Sequence, residues 1–136
     1  MDGQAHSRLI IWSAVLLGLL FAHDLTHVFD SGLNTKLSQL ALVAIPQWAV
    51  IAGVMLVVVR GEPRHSALAA LLLGFGTAIG FALIHLAPFA PASYQNLSPS
   101  TISWALALIP PAVGLYLGVL GWRALRASAP ASTAVA

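Results

Sequence analysis

The sequence predicts an all-α, polytopic integral membrane protein: a four-transmembrane-helix bundle with both termini cytoplasmic. Three observations predict it. The 136 residues are 59% hydrophobic and 7% charged, against roughly 25% charged in soluble domains, whose surface must face water. The apolar residues gather in four stretches, about 9–29, 37–59, 67–87 and 102–125, each close to the ~20 residues that carry a helix across a bilayer. The cations are one-sided in that arrangement: Arg8, Arg60, Arg64, Arg123 and Arg126 share one end, and Lys36 stands alone at the other. Cytoplasmic loops carry the excess of Lys and Arg, which places both termini inside.

The mean hydropathy of +0.89 and the absence of cysteine narrow the chemistry. Thiolate metal sites, disulfides and cysteine nucleophiles are excluded. The net charge of +2 is accounted for by the topology signal, and no basic patch suited to nucleic acid is present. The chain is expected to form a single transmembrane domain over residues 1–127, followed by a disordered tail, 128–136, rich in Ala, Ser, Pro and Thr.

The first stretch follows Arg8. Leu20, Phe21 and Ala22 fit a small-x-small cleavage site badly, so this segment is expected to remain as a span. Trp12 and Trp122 then fall near the inner interface and Trp104 near the outer one, as an aromatic belt requires. Breakers mark the connections: Ser31-Gly32, Gly61 with Pro63, then Pro88, Pro91 and Pro99. Pro46 in the second span and Pro110-Pro111 in the fourth are expected to bend their helices. Small residues four apart let helices approach closely in lipid. Gly114 with Gly118 and Gly76 with Gly80 form GxxxG, and Ala14 with Gly18 and Ala49 with Gly53 are looser versions. They can join helices within the chain, or join it to a second copy or a larger membrane complex.

One segment carries chemistry. Without His23 to Asp30 the first apolar run is too short to cross, so part of this segment lies in the membrane or its outer interface. Helical spacing puts His23, His27 and Asp30 on one face, with Asp24 about 100° away. His85, near the outer end of the third span, reaches the level of His27, and Gln47 of the second span reaches that of His23. Ionisable residues at membrane depth face the bundle interior and mark functional sites.

Imidazoles one turn apart, closed by a ligand from another helix, suit Zn, Fe, Cu or Ni. His23, His27, His85 and Asp30 are the candidate ligands, with Asp24 orienting an imidazole. Such a site would serve sensing, delivery or transport. Other uses fit the same residues: polar contacts between helices in an accessory subunit, axial ligation of a b-type haem, or a proton relay in a transporter. A metal-dependent enzyme would need a base and a substrate pocket that the sequence alone does not supply. His6, His65, Asp2 and Glu62 read as solvated cytoplasmic groups, and Tyr94, Gln95 and Asn96 read as ordinary outer loop rather than a lid. Phosphate-loop, serine-hydrolase and zincin motifs are absent.

Overall fold

The computed structural model describes residues 3–33 and 36–128, and of residues 37–40 the backbone alone. The expected tail therefore lies, from residue 129 on, outside the described residues. Four α-helices follow in order: α1 (Gly3–Phe29), α2 (Leu37–Arg60), α3 (Pro63–Phe81) and α4 (Thr101–Ala127). A π-helical turn (Ala82–Leu86) extends α3, and a 3-10 turn (Tyr94–Asn96) precedes α4. The fold is all-helical, and its four helices are long and apolar enough to cross a membrane.

Two boundaries differ from the sequence expectation. α1 begins at Gly3 rather than near residue 9, so His6 is helical, and its Nε2 lies 2.9 Å from the Val58 carbonyl of α2. α3 begins at Pro63 rather than near residue 67. Proline is well placed in a first helical turn, where its missing N–H has no partner to lose. His65 therefore sits in that turn, exposed, 3.7 Å from Glu62. Ser66 hydroxyl lies 3.1 Å from the Val57 carbonyl and 3.0 Å from that of Gly61, closing the sharp α2–α3 turn.

The buried positions run in seams. On α1 they are Leu9, Ser13, Leu16, Leu20 and His23. On α4 they are Ser103, Ala107, Pro110, Gly114, Leu117, Gly121 and Ala124, with Gly118 buried beside them. Both alternate steps of three and four residues, the period that keeps one helix face against its neighbours. α4 carries its seam straight through Pro110 and Pro111.

α4 packs most closely on α3, because both helices are bare where they meet. A Cβ on Gly74 would stand 2.4 Å from the Gly118 nitrogen and 2.5 Å from the Gly114 oxygen. The expected Gly114/Gly118 motif is thus a true contact, but its partner is Gly74. Gly76 and Gly80 are not part of that contact: a Cβ on either meets nothing within 4 Å. The same holds for Gly18 and Gly53. Position on the helix face decides this, since residues 76 and 80 lie about 200° and 240° around α3 from residue 74.

α2 leans against α1 and α3 and is the least enclosed helix, with 11% of its apolar window buried. Trp48 ties it to α1 by donating a 2.7 Å hydrogen bond from Nε1 to Asp24. Between α1, α2 and α3 lies a cavity of about 680 Å³.

Candidate metal centre

The α1 seam continues past Leu20 to His23 and, half-buried, His27. Both imidazoles are therefore carried inward by the same periodicity that builds the apolar core. His85 arrives from α3 on the face that holds Ala78 and Phe81, and it is buried. The π turn around it widens the helix just before Pro88 ends it. Such turns re-aim side chains, and they recur at functional sites.

The three rings converge. His23 Nε2 lies 3.3 Å from His85 Nε2 and 3.3 Å from His27 Nε2. One ligand nitrogen from each of the three lies within 4.8 Å of the other two. Nitrogens held at ~2.0–2.1 Å from one tetrahedral ion stand about 3.3–3.4 Å apart. Two of the three separations match that spacing, and the group can hold one ion. The backbones of Leu106 and Ala92 lie beside the His23 and His85 rings. Neither buried Nδ1 makes a hydrogen bond of ordinary geometry. A histidine that ligates through Nε2 usually gives its Nδ1–H to such a backbone carbonyl.

A bis-histidine haem does not fit this arrangement. Its two axial nitrogens, each ~2 Å from iron on opposite sides of the porphyrin, stand roughly 4 Å apart with the macrocycle between them. Here the His23 and His85 rings are in contact, with centroids 4.7 Å apart, and His27 crowds the same nitrogen.

The two aspartates are placed apart from the imidazole group. Asp24 lines the cavity, with Trp48 rather than Gln47 as its hydrogen-bond partner. Asp30 turns to the start of α4. Its carboxylate accepts the Ser100 N–H at 2.7 Å, the Ser103 hydroxyl, and the Gly32 N–H at 3.0 Å. Ser100 itself caps α4 by accepting from the Ser103 N–H. Asp30 thus adds negative charge at a helix N-terminus, where it is stabilising. Gly32 is required beside it, since a Cβ there would stand 1.9 Å from the Ser98 oxygen.

The hydrogen bonds from Ser103, Ser100 and Gly32 hold the Asp30 carboxyl well below its ordinary value of 3.8. A carboxyl depressed in the folded state stabilises the fold above its unfolded value and loses that contribution as pH falls through the lower, folded one. The stability difference between wild type and Asp30→Asn is therefore expected to stay constant from neutral pH to about 4 and to shrink below it. Denaturant unfolding across that range measures it, and a gap that ignores pH would show that charge plays no part.

Tyr94 was expected to be ordinary loop, yet it forms a wall of the site. It is 1% exposed, its ring centroid lies 5.2 Å from that of His85, and it stands 6.3 and 6.4 Å from His23 and His27. Its hydroxyl is buried near Thr26, and burial raises the phenol above its usual range. Gln95 and Asn96 hold it there by donating to the carbonyls of Leu86, Pro88 and Ala90. Trp48 also escaped the sequence reading. A tryptophan within an apolar span carries no sign of a buried polar partner until the opposite helix is in place. Comparison with family models, with curated proteins and with solved structures finds none that matches this chain.

Proposed function

We propose that this chain is a multi-pass membrane protein of the cell membrane that holds one transition-metal ion at its outer end, on His23, His27 and His85, for sensing or delivery. The convergence of three imidazoles carries this reading, with His23 Nε2 at 3.3 Å from the Nε2 of both neighbours and one ligand nitrogen from each within 4.8 Å of the others. Zn²⁺ suits three imidazoles best, and Cu, Ni and Fe also accept them. Orientation rests on Arg8, Arg60, Arg64, Arg123 and Arg126, which the helix order gathers at the end opposite the histidines. Toward that end the buried core is mainly apolar, built on Leu9, Leu16, Val58 and Leu117, with Ser13 and the half-buried His6 as its polar groups. No second cluster of three ligands is found among the described residues, and this supports a stationary site over passage through the bundle.

The test is elemental analysis of protein purified in mild detergent. Wild type is expected to carry close to one equivalent, and His23→Ala and His85→Ala at least tenfold less. Asp30→Ala is expected to retain the metal, because its carboxylate is committed to α4. Equal content in all four proteins would overturn the assignment. A second reading, an accessory subunit of a larger complex, draws on Gly18 and Gly53, whose open faces meet nothing in this chain. Stoichiometric partners in the same preparation would favour it.

A further inference from the structure

The cavity and the histidines are one continuous site. The imidazoles and Asp24 line one end of the 680 Å³ space, and the rest of its wall is apolar except for Gln47 and Thr77. Along α3 it runs from Leu72 to His85, roughly 20 Å of helix at ~1.5 Å per residue. That is close to the ~15 Å half-thickness of a bilayer's hydrocarbon core, the depth that one lipid acyl chain fills. Its volume holds roughly twenty groups of water or methylene size, at about 30 Å³ each. One acyl chain fits.

Gly76 and Gly80 line this space, and nothing lies within 4 Å of where their side chains would begin. Their absent side chains therefore widen the cavity instead of drawing helices together. At the polar end, three imidazoles leave an ion of tetrahedral preference one ligand short. Tyr94 packs on the three rings but does not line the cavity. The cavity side is thus the open side. A divalent ion on three neutral imidazoles carries its full charge into an apolar setting, where an uncompensated charge is costly. An anionic donor entering from the cavity neutralises part of it.

We propose that the cavity binds a single-chain fatty carboxylate, with the carboxylate as the fourth ligand of the ion and the chain along Gly76 and Gly80. This rests on the metal-site reading above. Asp24 is the competing anion within reach of the same space, but its carboxylate is engaged by Trp48.

Co²⁺-loaded protein in lipid nanodiscs tests the proposal, because the visible bands of Co²⁺ report its ligands directly. Palmitate is expected to shift those bands and to bind at least tenfold more tightly than acetate, which has the headgroup without the chain. Methyl palmitate, which has the chain without the charge, is expected to leave the bands unchanged. Gly76→Leu/Gly80→Leu is expected to keep its Co²⁺, which reports a folded site, and to lose at least tenfold in palmitate affinity. Stoichiometric Co²⁺ with bands indifferent to palmitate would overturn this inference and leave the metal site standing. So would equal affinity for acetate and palmitate, or bands in wild type that already show a carboxylate and change in Asp24→Asn. Failure to bind Co²⁺ would overturn both.

Discussion

Saturating Zn²⁺ is expected to stabilise the wild-type bundle by about 2.7–4.1 kcal/mol when free metal reaches 100–1,000 times its Kd, and to leave His23→Ala unchanged. Binding is favoured because the three imidazoles by themselves are in conflict. His23 Nε2 lies 3.3 Å from the Nε2 of both neighbours. An imidazole Nε2 has one in-plane position, holding either a proton or a lone pair, so His23 makes a full hydrogen bond with only one of its two neighbours. Protonating the group instead would place like charges within 4.8 Å of one another in an apolar interior, where charge is costly. One ion resolves the conflict by accepting all three lone pairs. His23 is the decisive substitution, since it is 2% exposed and stands between the other two rings. Thermal unfolding in detergent, with Zn²⁺ against a chelator, reads the effect. An equal Zn²⁺ shift in His23→Ala would place the binding elsewhere.

Gly74→Ala is expected to destabilise the bundle by about 1–3 kcal/mol, while Gly76→Ala is expected to be neutral. The added Cβ at position 74 meets the Gly118 nitrogen at 2.4 Å and the Gly114 oxygen at 2.5 Å. Those are backbone atoms of a helix and cannot turn aside, so α3 and α4 must separate along their seam. Separation weakens the dispersion contacts that hold helices together in lipid. At position 76 the same methyl meets nothing within 4 Å. Denaturant unfolding of the two variants makes the comparison, and similar losses in both would contradict the assigned contact.

Much of this was open to reading before any coordinates. Four apolar stretches fix four helices, because a backbone in lipid must satisfy its hydrogen bonds within each segment. The histidines were legible too. Positions 9, 13, 16, 20, 23 and 27 keep one helical seam, so the imidazoles had to follow the leucines inward. What was not legible depends on which faces meet. Gly76 and Gly80 make as good a GxxxG as Gly114 and Gly118, and only the rotation of α3 and α4 about their own axes sends one pair to a cavity and the other to a helix contact. Asp30 shares the periodicity of His23 and His27, but α1 ends at Phe29. Beyond that point the Ser100 N–H and the Ser103 hydroxyl at the start of α4 compete for the carboxylate, and they win it.

The amino-acid sequence by itself determined a four-helix chain suited to lipid, with its arginines at one end and His23, His27 and His85 at the other. These follow from hydropathy and period, which act along one helix at a time. Only the tertiary structure decided that the three Nε2 atoms share a centre, that Asp24 and Asp30 stand apart from it, that Tyr94 walls it and that an acyl-sized cavity opens beside it. Those outcomes depend on how separate helices rotate and settle against one another. Distances of a few ångströms between residues 60 positions apart are set by that packing, and local pattern does not encode them.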